Sequence, residues 1–367
     1  TSAAAGYDDV KETDNVEAIE VLQAVEVMVG DDRGFGPDRP VTRAEMAVVM
    51  GKLLNLDYNY YVSTCPFADV SGNFDWAKGW VGACAANGIV SGRGDGIYDP
   101  AATVTAVEAA SMMMRALGYF KHVDDYADGF QVVTVRQGSQ IGIFNGVGTN
   151  ATNPMTRNQV AQMALNALRS EMVDFTGTLG VEINGVKVGY QAEYTSRTST
   201  EAKYNAIEGR TSDVASDANH KGQYYVQLGE ELYDGKLRLN NGATDAFGRP
   251  SRHWEYDGKA IGTYVKKELM DKEWVGEVTG KDLYDQLGKA TLEDKSYDFF
   301  IYVDGEDRYS ATDGTAGVST VFNKTQMNKN NKAAVGGTGT GVLTQVFVDV
   351  DNHDVTIAVI NTYLARA

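Results

Sequence analysis

Residues Phe35–Ala47 read FGPDRPVTRAEMA, and the reading of the first half of the chain grows outward from this stretch. Gly36-Pro37-Asp38 has the composition of a turn, because proline presets its own φ. Thr42 followed three residues later by Glu45 has the spacing of a capping box. The Thr hydroxyl accepts from the amide of residue 45, and the Glu carboxylate reaches back to the Thr amide. Beyond the cap, Met46, Val49, Met50, Leu53 and Leu54 recur at helical spacing, so one face of this helix is buried. Helix initiation accounts for Thr42 and Glu45 but not for Arg43. The first helical position is expected to be exposed, and a cation there opposes the helix dipole. Arg43 is therefore either a ligand contact or the partner of a nearby acid such as Asp38.

The same pattern occurs three times. Thr42-Arg43-Ala44-Glu45 is matched by Thr105-Ala106-Val107-Glu108 and by Thr156-Arg157-Asn158-Gln159, and an apolar helical pattern follows each. Turn residues precede each start: Phe35-Gly36-Pro37-Asp38, Tyr98-Asp99-Pro100 and Asn153-Pro154. Further upstream stand Met28-Val29-Gly30, Ile89-Val90-Ser91-Gly92 and Ile143-Phe144-Asn145-Gly146, each an apolar helix end closed by glycine. Each copy reads as helix, turn, extended loop, capped helix. The copies are placed at about 5–60, 65–120 and 121–174. A single helix pair of this size cannot bury its apolar face alone, so the three are expected to share one core.

Residues 67–117 carry the pattern most fully: FADVSGNFDWAKGWVGACAANGIVSGRGDGIYDPAATVTAVEAASMMMRAL. The F-x-D-V entry, Trp-Ala helix start, G-I-V-x-G close, D-G-x-[FY]-x-P loop and T-R-A-E-like start resemble the S-layer homology (SLH) family. The likeness is full over the second copy, good over the latter half of the first and weaker over the third, just under half of the chain. It implies a three-pronged, all-α helical bundle that binds pyruvylated secondary cell-wall polysaccharide on peptidoglycan. Carried over residue by residue, it makes Arg43 and Arg157 the contacts to an anionic sugar substituent, where a planar guanidinium suits a carboxylate. It sets Asp69 and Trp76 beside the sugar, and Gly92, Arg93 and Asp95 in the closing loop. Trp76 could equally be a core anchor, and Asp69 and Asp95 ordinary turn residues. The second copy has Ala106 where the family has arginine, the third has Gln159 for glutamate, and only the second has the tryptophan. At most one or two of the three grooves are thus equipped.

Past Thr176 strand signals take over. Val181–Val188 alternates around Asn184-Gly185, a strong hairpin signal. Phe299–Val303 reads as a buried strand ending in Asp304-Gly305. Gln345–Val350 and Val355–Ile360 flank a second turn at 351–354, and one short helix is expected over Lys281–Leu287. The fold class expected is α+β multidomain: the helical bundle over 5–174, then a β-rich assembly or display domain over 176–367 that continues past Ala367.

Fifty acidic against 33 basic residues give a net charge of −17, which disfavours nucleic acid as a partner. No apolar run is long enough to span a membrane. The small residues Thr1–Gly6 suit a mature end after signal cleavage as well as an arbitrary boundary. Cys65 and Cys84 are either joined, which would contribute roughly 3 kcal/mol, or two free thiols. Asp349, Asp351 and Asp354 are either a hairpin turn or part of a Ca2+ site. His122, His220, His253 and His353 are scattered, no catalytic motif stands out, and no enzyme is expected. The sequons at Asn150 and Asn323 carry little weight in a bacterial chain. The function expected is that of a secreted surface-layer protein, held to wall polysaccharide by its bundle and assembling with copies of itself. The alternatives are a homopolymeric filament or tube in which the bundle packs subunits, and a wall-bound enzyme.

Overall fold

The computed structural model describes residues 6–126, 128–212, 221–312 and 327–362. The opening residues Thr1–Ala5, His220, Asn323 and Ala367 lie outside the described residues. The chain is mixed helix and sheet and divides into two compact units: residues up to Leu239 together with Trp254–Gly262, and Asn240–His253 together with Thr263 onward.

Six helices build the first part of unit one: α1 Val16–Ala24, α2 Arg43–Leu53, α3 Lys78–Ala86, α4 Ala106–Leu117, α5 Phe130–Gln140 and α6 Arg157–Leu168. The segments leading into α2, α4 and α6 meet edge to edge. Val41 N–H donates to Met155 O (2.9 Å), Met155 N–H to Val104 O (3.0 Å) and Val104 N–H to Val41 O (2.9 Å), closing a ring of three hydrogen bonds. All three residues are buried. Helix neighbours follow the same cycle, α2 with α3, α4 with α5 and α6 with α1.

This ring solves a problem at each helix start, where the first amides have no partner within the helix. In α2 the first two amides, of Arg43 and Ala44, donate to Ala102 O and Pro100 O in the next copy's loop. In α4, Ala106 and Val107 donate to Asn153 O and Ala151 O. In α6, Arg157 and Asn158 donate to Arg39 O and Pro37 O. The third amide is capped locally: Thr42, Thr105 and Thr156 accept from Glu45 (3.1 Å), Glu108 (3.3 Å) and Gln159 (3.3 Å). The return bond of the capping box forms only in the third copy, where Gln159 Oε1 accepts from Thr156 N–H. Glu45 and Glu108 turn towards arginines instead. Apolar residues of α2, α4 and α6, with Met46, Met50, Met113, Met163 and Leu168 among them, are buried.

Unit one does not stop at residue 174. Met172 N–H donates to Val226 O and Leu228 N–H to Ser170 O, so helix α7 (Leu228–Leu232) is tied to the end of α6. Trp254, fully buried, donates Nε1 to Glu17 of α1. Strands β1 (Val173–Ile183) and β2 (Val186–Ser196) form the first predicted hairpin, with Asn184 and Gly185 both at positive φ as a two-residue turn requires. The short strands β3 (Thr198–Ser199) and β4 (Tyr224–Tyr225) pair nearby.

The meander β5 (Leu237–Thr244), β6 (Pro250–Tyr256) and β7 (Lys259–Val265) has its residues divided between the two units. Unit two is otherwise a five-stranded sheet in the order β10-β9-β12-β11-β8, from β8 (Met270–Val275), β9 (Asp298–Val303), β10 (Glu306–Ala311), β11 (Val342–Asp349) and β12 (Asp354–Asn361). Only β9 and β12 run parallel. Helix α8 (Gly280–Glu293) packs Leu283, Leu287 and Leu292 against Phe299, Ile301, Val346, Val355 and Ile357. A full Thr279–Asp282 capping box starts it, and it runs past the predicted Leu287 by one further turn beyond a kink at Gly288 (φ 77°).

Glu230 of α7 is fully buried and accepts from the Ile207 and Gln227 amides. Burial pushes its carboxyl up to about 7, against the pull of those amides. The folded state therefore holds this proton more tightly than the unfolded chain. The stability this contributes is fully present below the unfolded carboxylate's pKa and is lost as pH rises through about 7. Denaturant unfolding followed from about pH 5 to about pH 8 is expected to show falling stability of unit one, and Glu230→Gln to flatten that slope.

Candidate functional site

Two grooves built on the same plan lie between helix starts and neighbouring loops. Each begins with an aspartate that clamps a loop. Asp69 accepts from the Tyr98 amide (2.9 Å) and the Asp99 amide (2.7 Å). Asp9 does the same in the first copy, accepting from Phe35 (3.0 Å) and Gly36 (2.7 Å). Two charge-assisted bonds to backbone hold each loop in place. A glycine lets the loop fold back onto an aromatic ring. A Cβ on Gly92 would lie 2.6 Å from both Ile97 O and Phe67 Cε1, and one on Gly30 2.6 Å from Gly34 O and Tyr7 Cε1. Asp69 and Gly92 are thus parts of the loop's framework.

Each loop then receives an arginine from a different copy. Arg43 stacks over the Tyr98 ring with Cζ 4.5 Å from its centroid. Its Nε donates to Tyr98 O (2.8 Å) and its Nη2 to Ser91 O (3.1 Å). Arg157 stacks on Phe35 at the same 4.5 Å, with Nε on Phe35 O (2.8 Å) and Nη2 on Val29 O (2.9 Å). The third nitrogen separates them. Arg43 Nη1 donates to Glu108 at 2.6 Å, and Glu108 also takes Arg93, which bridges on to Asp99. The side chain of Arg43 is only 4% exposed. The exposed first-turn arginine expected from sequence is in fact buried and fully paired, and its acid is Glu108 of the second copy, not Asp38. Arg157 Nη1 has no partner among the described residues. The acid at the matching place, Glu45, lies 3.7 Å from Arg39 and keeps its Oε2 buried without a hydrogen bond. Burial first and the neighbouring Arg39 second depress the pKa of Arg157, and they outweigh the opposing pull of Glu45 and Asp31.

Trp76 is 51% exposed in the 310 turn Gly72–Ala77 and has Phe74 at 6.4 Å, so it is not a core anchor. Trp80 is the inward-facing ring, stacked on Tyr58 at 4.1 Å and filling the space over Gly51. Asp95 lies exposed at φ 51°, next to Gly96 in the turn.

Two alternatives left open by the sequence concern the cysteines and the aspartates of the β11–β12 turn. Cys65 and Cys84 are separate thiols. The Cys65 backbone faces Gly82 of α3, and two residues along a helix turn a side chain to the opposite side. Cys84 points instead at Ala47 O, and burial pushes its thiol up to about 12. Asp349 and Asp354 close the β11–β12 hairpin as a facing pair, and Asp349 accepts from the Asn352 amide and Nδ2. With Asp351 they make a turn, and no metal-binding cluster occurs among the described residues.

Asp9, Arg39 and Glu108's charge pairing were not singled out from sequence. The signal for Asp9 was present, since Tyr7-Asp8-Asp9-Val10 parallels Phe67-Ala68-Asp69-Val70. The family model of the S-layer homology domain matches residues 6–47 and 66–110, spans that contain both clamps, both close-approach glycines and Arg43. The chain carries S-layer homology domains. The turn and helix that supply Arg157 lie outside the matched residues. Relatives include the "Middle cell wall protein" of Brevibacillus brevis, 24% identical over 78% of this chain and 28% of the relative. The "Surface layer protein" of Brevibacillus choshinensis is 23% identical over 85% of this chain and 30% of the relative. The "Cell surface protein" of Thermoanaerobacter kivui is 27% identical over 59% and 28%. The chain therefore spans less than a third of the length of these curated relatives.

The two arginines should separate in stability measurements. Arg43→Ala leaves Glu108 short of a buried partner and is expected to cost about 3 kcal/mol. Arg157→Ala loses two neutral acceptors from a half-exposed site and should cost about 1 kcal/mol. Denaturant midpoints of the two variants check the difference.

Proposed function

We propose that the protein is a secreted cell-surface protein of the surface-layer type, held non-covalently to anionic wall polysaccharide by three SLH copies over residues 5–174, the third of them degenerate. The observation that carries this reading is the unspent cation at Arg157. The Arg157–Arg39 groove has a stacked guanidinium whose Nη1 has no partner among the described residues, a second arginine beside it, and an acid, Glu45, that lies 3.7 Å from Arg39 without hydrogen-bonding it. A carboxylate on a sugar, such as a pyruvyl ketal, supplies the missing acceptor and relieves the uncompensated charge. In the neighbouring groove Glu108 already occupies that place on Arg43, so that groove's arginine serves cohesion. The relatives named for cell wall and surface layer support a wall location.

Co-sedimentation with purified pyruvylated wall polysaccharide tests this. Arg157→Ala is expected to weaken binding by about tenfold or more, the equivalent of one charge-assisted pair, while remaining folded. Removal of the pyruvyl groups from the polysaccharide should have the same effect on the unaltered protein. Wild-type-like sedimentation of Arg157→Ala would sink the assignment.

A second reading, contact between copies in an array or filament, draws on the β1–β2 hairpin. Val181 pairs with Val188 and Ile183 with Val186 on one face, while Glu182 and Lys187 share the other. All four apolar side chains are exposed, Val186 at 62%. An exposed apolar ribbon face of this kind is what subunit contacts cover. Val181→Glu with Ile183→Glu should abolish any ordered assembly seen by negative-stain microscopy and leave polysaccharide binding intact.

A further inference from the structure

A cavity of about 440 Å3 lies at the far ends of α5 and α6, away from the helix starts that carry Arg43 and Arg157. It falls within the usual size range of small-ligand sites. Its walls come from the C-terminal turns of α5 and α6 and from the segment around Glu208. Arg169, Arg210, Glu171, Glu208, Gln140 and Asn145 supply most of its polar groups.

The charges cancel in pairs. Arg169 Nε donates to Glu208 at 2.6 Å, and Arg210 Nη1 lies 2.8 Å from Glu171 Oε1. Hydrogen-bonding capacity is left over on both sides. Arg169 has no acceptor for Nη1 or Nη2 among the described residues. Glu171 spends Oε2 on the Ser196 hydroxyl, but its Oε1 is buried and accepts no hydrogen bond, the Arg210 approach being out of line. A buried acceptor of this kind takes its donor from water or from a ligand that displaces it.

An anion entering here meets two carboxylates, and a cation meets two guanidinium groups. An apolar ligand leaves the Arg169 Nη donors and Glu171 Oε1 without partners. A peptide is read mainly through a free strand edge or apolar side-chain pockets. The backbone at Glu171 is already bridged to Gln227, and Ile141 is the aliphatic side chain of the lining. A pair of neighbouring hydroxyls meets the requirement, since each accepts from a guanidinium and donates to a carboxylate. We infer that this cavity is a second carbohydrate site, specific for an uncharged sugar and independent of the Arg157 groove.

Titration calorimetry of the full chain with uncharged trisaccharides of glucose, galactose, mannose and N-acetylglucosamine tests the inference. At least one should bind saturably, with affinity unchanged as NaCl is raised from about 0.05 to about 0.5 M, since no net charge is neutralised. Gln140→Trp, which fills the mouth from an exposed position, and Glu208→Gln should each weaken binding by about tenfold or more. Arg157→Ala should leave it unchanged. Failure of all four sugars to bind overturns the inference. So does binding that survives Gln140→Trp, or binding lost in Arg157→Ala, which would move the sugar to the other groove. Failure of the anionic polysaccharide to sediment, with trisaccharide binding retained, would remove the groove reading alone.

Discussion

Each helix that starts with a threonine cap has two amides its own cap cannot reach, and the structure of unit one follows from how those amides are satisfied. A lone helix start leaves them to water. Here the next copy's loop supplies two carbonyls to each of α2, α4 and α6, and three mutual backbone bonds among Val41, Val104 and Met155 hold the loops in position. Burying those residues is affordable only because every donor in the ring has its acceptor. The arrangement is cyclic, so no copy is complete without the other two.

The grooves are by-products of the same closure. A helix start delivered to a neighbour's loop carries its first side chain with it, and in two of three cases that side chain is arginine. What the arginine then does depends on whether an acid meets its third nitrogen. At Arg43 Glu108 does, itself steadied by Arg93. At Arg157 the corresponding loop has Asp31 where the other has Arg93, and Asp31 is drawn off to Arg33. Glu45 is left leaning towards Arg39. One fold therefore turns the same residue into a structural tie in one groove and an open cation in the other.

Much of this organisation was legible in the sequence because it rests on local chemistry. The T-x-x-E/Q starts, the glycine-closed turns, the Asn184-Gly185 hairpin and the β11–β12 strands announce themselves through residue type and spacing, and the SLH pattern is carried by such positions. The meander β5–β7, strands β8 and β10 and the longer reach of α8 were not legible. Their side chains are mixed in polarity, and their pairing depends on partners far away in sequence. The extension of unit one past 174 was hidden for the same reason, since Trp254 meets Glu17 only after folding.

The amino-acid sequence by itself determined where helices begin, which turns need glycine and that a capped helix start recurs three times, because capping, turn geometry and apolar periodicity act within a few residues. Only the tertiary structure decided that Arg43 is buried while Arg157 Nη1 has no partner among the described residues, that Trp80 rather than Trp76 faces inward, and that Cys65 and Cys84 stand apart. Those outcomes depend on which groups from distant copies arrive within about 3 Å, the range over which hydrogen bonds and ion pairs are made.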